Sequence, residues 1–109
     1  MEVIEKNWIT KEMDNLILDE EGKGCILGFI GSYYKISPDK MLGKTRLTEI
    51  DIPKELEWLN QSMNYNKHQF GRAETFLVWL NDNPSMTINQ KKSNLTGFLK
   101  KVGINIKWS

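Results

Sequence analysis

The sequence predicts a mainly helical α+β fold: four to five short helices around a central glycine-rich helix, with a small sheet formed by the two chain ends. Three observations lead there. The segment Gly22–Gly31 sets four glycines among Cys25, Ile26, Leu27, Phe29 and Ile30. Its apolar residues recur at helical spacing, with Cys25, Phe29 and Tyr33 four apart and Ile26 and Ile30 likewise. Three later stretches repeat apolar residues at the same period, whereas Ile104-Asn105-Ile106-Lys107-Trp108 alternates strictly, as a half-buried strand does. No repeat or linker divides the 109 residues, which read as one domain large enough for a single core.

Along the chain, Glu2–Ile9 supports two readings: an edge strand at Val3-Ile4, or a short helix opened by Trp8 and running through Met13 and Leu16. Leu16-Ile17-Leu18 is a short apolar element that ends in a turn at Asp19-Glu20-Glu21-Gly22. The central helix spans about Gly24 to Tyr34 and is apolar nearly all round, the mark of a buried element. Gly24, Gly28 and Gly31 share one of its faces. A glycine inside a helix costs roughly 0.5–1 kcal/mol relative to alanine, so such a smooth face implies a backbone packed close against it. Ser37-Pro38 then opens a short helical turn over Pro38–Leu42 that Gly43 stops, because serine caps well and proline suits the first helical position.

Three amphipathic helices follow. The first opens at Asp51-Ile52-Pro53 and aligns Ile52, Leu56, Leu59 and Met63. An Asn-rich loop, Asn64-Tyr65-Asn66-Lys67-His68, separates it from the second, which carries Ala73, Phe76, Leu77 and Leu80 on one stripe and ends at Asn81-Asp82-Asn83-Pro84. The third starts at Thr87, with Gln90 three residues on as a capping-box partner. It points Ile88, Leu95, Phe98, Leu99 and Val102 inward, and Gly103 stands where a left-handed cap belongs.

Composition bounds the chemistry. One cysteine excludes an internal disulfide and a multi-cysteine zinc site, and no ligand spacing or cofactor motif is present, so no metal and no cofactor is expected. Gly43-Lys44-Thr45 ends like a phosphate-binding loop, but Pro38 stands where that loop needs a glycine. Gly22-x-Gly24-x-x-x-Gly28 lacks the second strand of a dinucleotide fold. Cys25 lies in an apolar run and His68, the single histidine, in a polar loop, so a Cys–His catalytic pair has no support and no catalytic residue is assigned. The longest apolar run is far below the ~20 residues of a membrane span. A cytoplasmic protein without a membrane anchor is expected, and no enzyme.

Two surfaces remain as candidates. Trp58 and Trp79 fall off the apolar stripes of their helices, with Tyr65, His68 and Phe70 between them and Arg72 adjacent. Tryptophan, tyrosine and arginine dominate binding hot spots, so these six form a candidate partner-binding face. The second candidate is electrostatic. Residues 1–64 hold eight basic and twelve acidic side chains, whereas residues 65–109 hold seven basic and two acidic. Lys91, Lys92, Lys100 and Lys101 form two pairs on the last helix, the basis of an alternative reading as a small nucleic-acid-binding protein.

Gly22-Lys-Gly-Cys25-Ile-Leu-Gly28-Phe29, the turn Ile36–Gly43, Leu80-Asn81-Asp82 and the closing Phe98…Gly103-Ile104…Trp108 resemble a loose group of small uncharacterised proteins of bacteria and their phages. That group carries a Cys-Cys-Leu-Gly core, an Asn-Asp loop and a helix ending in a Gly-Ile-x-apolar strand. Ile26 here replaces the second cysteine. The resemblance implies a phage or mobile-element accessory protein. Together with the aromatic surplus it leads to the expectation of a non-enzymatic binder of a host or defence-system component, a protein or a small ligand, acting as an inhibitor.

Overall fold

The structure, a computed structural model, describes residues 1–11 and 16–109. In chain order it comprises β1 (Glu2–Val3), α1 (Ile26–Tyr33), α2 (Pro38–Met41), β2 (Met63–Tyr65), β3 (His68–Phe70), α3 (Ala73–Asp82), α4 (Ile88–Lys101) and β4 (Lys107–Trp108). Three 3-10 helices interleave with them, at Glu5–Asn7, Leu47–Glu49 and Lys54–Asn60. This is the predicted α+β class, with α1 at the centre. No described helix is long and apolar enough to cross a membrane.

The glycine face of α1 does what its spacing predicts. A Cβ on Gly24 or Gly28 would overlap the carbonyl oxygen of Ile17, so the Ile17-Leu18 backbone lies directly on the helix. A Cβ on Gly31 would meet the Met41 sulfur and Leu47. The opposite faces bury Ile26, Leu27 and Ile30 completely, in one core with Phe76, Leu77, Leu80, Leu95 and Leu99. The helix is two residues shorter at its start than expected, because Cys25 is already extended and acts as its N-cap.

The chain ends meet as predicted. β1 and β4 pair in parallel, Glu2 opposite Lys107 and Val3 opposite Trp108. Only two residues of the alternating C-terminal segment join the sheet, since β1 offers only two partners. Ile104 serves the preceding helix instead: its N–H donates to Leu99 O (2.8 Å) and Gly103 N–H to Lys100 O (3.1 Å), with Gly103 at φ +88°. Those paired bonds are a Schellman cap, and Ile104 and Leu99, both fully buried, supply its apolar contact. The Thr87–Gln90 capping box forms at the other end. Of the two N-terminal readings the edge strand is realised. Trp8 makes a lone parallel bridge to Gly24, and Met13 of the helical reading lies outside the described residues.

Three expectations are corrected. The helix expected to carry Ile52 through Met63 is a 3-10 helix over Lys54–Asn60, and Met63 belongs to β2. Leu56 and Leu59 are three apart, and a three-residue turn stacks them on one buried edge without help from Met63. The Asn-rich loop is the tip of a hairpin. Asn66 and Lys67 both have positive φ (47° and 68°), the conformation a two-residue turn requires, and asparagine reaches it more readily than most residues. Finally, Ile88 is not inward but 44% exposed. As the first residue of α4 its side chain leans toward the N-terminus, past the packed part of the helix.

Candidate functional site

Hairpin register builds the aromatic face. Met63 opposes Phe70 and Tyr65 opposes His68, so period two puts these four side chains on one side and Asn64 and Gln69 on the other. The first side lies against α3. There Phe76, fully buried, is the hub: its ring centroid lies 4.9 Å from Tyr65, 5.3 Å from Phe70 and 5.0 Å from Phe98. Trp79, one turn later, caps the group at 5.6 Å from Phe70, 6.3 Å from Tyr65 and 6.4 Å from His68. Trp79 is 37% exposed and His68 is exposed, whereas Tyr65 and Phe70 are half-buried. The result is a shelf of aromatic edges held from below by the core.

Four of the six expected face residues (Tyr65, His68, Phe70 and Trp79) are therefore together. The other two stand apart. Trp58, on the 3-10 helix Lys54–Asn60, is half-buried against Phe98 (6.0 Å), and its buried indole N–H has no acceptor among the described residues. Arg72 is exposed but reaches Thr48, with a guanidinium N–H donating to Oγ1 at 3.3 Å. Trp58 lies off the Leu56/Leu59 edge in either helical geometry, and Phe98 of α4 covers it there.

The basic residues of α4 also divide. Lys91 is only 4% exposed, its ammonium donates to Thr10 O at 2.8 Å, and burial holds its pKa below the usual lysine value. Lys92 pairs with Glu5 at 3.1 Å and lies 5.6 Å from the centre of the Trp108 ring. Lys100 and Lys101 alone are exposed. The expected exposed basic arc is thus half consumed by the fold. Lys91 sits at i−4 and i−8 from Leu95 and Leu99, so the helical period itself marks it as inward-facing.

Buried polar residues were the features sequence reasoning missed. Asn81 is fully buried; its Oδ1 accepts from Trp8 Nε1 (2.7 Å) and Ile26 N (3.0 Å), and its amide donates to Ile9 O and Asp82 Oδ1 (2.8 Å each). Ile26 N–H is a free donor of the first turn of α1, so Asn81 does from α3 the capping that Cys25 does not do itself. Glu74, also fully buried, accepts from Leu47 N (2.6 Å), Thr48 N (3.1 Å) and Thr48 Oγ1 (2.6 Å). Positions 74, 77 and 81 follow one helical line, so the stripe through Leu77 was the available signal.

Cys25 and His68 are not brought together. Cys25 lines a small cavity of about 20 Å³ with Arg46, Val78 and Asp82, room for about one water. Burial pushes its thiol up from the ordinary 9.0 to about 11, against the lowering effect of the Leu27 and Gly28 backbone N–H groups. At neutral pH it is a protonated structural thiol. No protein-family model, curated protein or solved structure matches the chain.

Proposed function

We propose that this chain is a non-enzymatic accessory protein of a phage or mobile element that binds a host or defence component through the β2–β3–α3 aromatic face and inhibits it by covering a working surface. The observation that carries this reading is Trp79, 37% exposed and flanked by His68, Tyr65 and Phe70. Exposed aromatic rings backed by a fixed core offer large contact area with little ordering cost on association. The resemblance to small phage and bacterial proteins supports the context. The nucleic-acid reading has weaker support, since Lys91 and Lys92 already serve internal contacts and leave two exposed lysines on α4.

The test is retention of host components from a lysate by the immobilised wild type and by the double variant Trp79→Ser/His68→Ala. Components held by the wild type should be lost by the variant, which still unfolds cooperatively. Equal retention by both would remove the face from the account.

A further inference from the structure

Glycine 97 stands in the middle of α4 with no structural reason of its own. Its φ is not in the left-handed region, and a Cβ there would meet nothing within 4 Å. An interior helix glycine costs about 1 kcal/mol relative to alanine, and elsewhere in this chain close packing against Ile17 accounts for it. At position 97 the open space belongs to a groove of about 330 Å³ between β2 and α4. Its walls include Met63, Asn64 and Tyr65 from the strand and Gly97, Phe98 and Lys101 from the helix.

Two features say what fits. First, hairpin register leaves the strand edge open. Across a two-residue turn the closing pair Tyr65–His68 exchanges backbone bonds, and the next pair, Asn64–Gln69, does not. The Asn64 N–H and C=O therefore point away from β3, toward the groove side of β2, where no backbone group among the described residues bonds them. Second, Lys101 is the charged wall residue, exposed, beside exposed Lys100 and with no carboxylate in the groove lining. An added strand satisfies an edge donor and acceptor, its side chains alternate between groove and solvent, and a carboxylate answers the lysine.

We propose that this groove seats an extended, acidic peptide segment that adds to the free edge of β2 and lays its backbone against Gly97. The proposal rests on the protein-binding reading above and names the chemistry of the partner: an exposed strand or tail bearing Asp or Glu next to apolar residues. Tyr65 belongs to both the groove and the aromatic face, so the two surfaces adjoin.

A displayed library of random peptides of about ten residues tests it, selected in parallel on wild type, Gly97→Leu, Lys101→Glu and Trp79→Ser. The wild type should enrich acidic sequences with alternating apolar residues. Gly97→Leu fills the groove without a clash, should melt at or above the wild-type temperature because a helix-interior glycine is removed, and should enrich none of them. Lys101→Glu should weaken the enriched peptides about tenfold or more through charge reversal, and it decides the matter if Gly97→Leu folds poorly. Enrichment on Trp79→Ser equal to wild type separates the groove from the aromatic face, and the groove then stands whatever becomes of that face. Absence of any peptide class that depends on Gly97 or Lys101 overturns the proposal.

Discussion

At the residue scale, two buried groups carry more of the structure than their types suggest. Asn81 joins Trp8, Ile9 and α1 in a single set of bonds. Asn81→Leu keeps the volume but strands the Trp8 indole N–H, the Ile26 N–H and the Ile9 carbonyl. Each lost partner in a dry site costs on the order of 1 kcal/mol or more, so the variant should lose about 3 kcal/mol in urea unfolding. Cys25 gives a pH signature. The unfolded thiol ionises above pH 9.0, whereas in the fold it keeps its proton to about 11. Stability from this group is full below pH 9 and is lost as pH rises toward 11, by an amount on the order of 2 kcal/mol. The stability difference between wild type and Cys25→Ala should therefore shift against the wild type over that interval. A difference constant from pH 8 to 11 would show that the thiol is not desolvated.

At the element scale, glycine and turn chemistry set the testable limits. Gly28→Leu drives a side chain into the Ile17 backbone, and overpacking of that kind costs on the order of 1–3 kcal/mol or more. An unchanged melting temperature would refute the close approach. Lys67 holds φ +68° at the hairpin tip, where glycine carries no steric penalty. Lys67→Gly should raise stability by roughly 0.5–1 kcal/mol, measured by thermal unfolding. The elements best legible in the sequence were those whose signal is local. α3 and α4 announced themselves by apolar period, capping box and Gly103, and α1 by its glycine face. The 3-10 helix and the hairpin were not legible, for identifiable reasons. Leu56 and Leu59 fit a three-residue and a 3.6-residue period equally well over so short a span, and Asn66-Lys67 lacks the glycine that marks a two-residue turn. Strand pairing of Met63 with Phe70 is a tertiary choice, made by the fit of Phe70 and Tyr65 onto Phe76.

At the scale of the whole molecule, the fold joins its two ends and leaves the aromatic shelf around Trp79 outside. Trp8 and Trp108 lie 4.8 Å apart, β1 pairs with β4, and Lys92 links α4 to both Glu5 and the Trp108 ring. Of the basic C-terminal half, Lys92 thereby spends its charge on Glu5 of the acidic N-terminal half, and Lys91 is buried against Thr10 O. The candidate site was legible as a set of aromatic residues but not as a geometry. Tyr65, His68, Phe70 and Trp79 converge because the hairpin folds onto α3, and Trp58 leaves the set because it packs against Phe98 of α4. Burial then separates the two tryptophans: Trp58 packs against the core, whereas Trp79 is 37% exposed, as the proposed binding face requires. The most direct measurement is host-component retention by wild type against Trp79→Ser/His68→Ala, with unfolding followed on the same samples. The account predicts that the variant folds, about 1 kcal/mol less stable for the aromatic contact it gives up, and releases what the wild type holds. Retention unchanged by the substitutions, or no component whose retention depends on them, would contradict it.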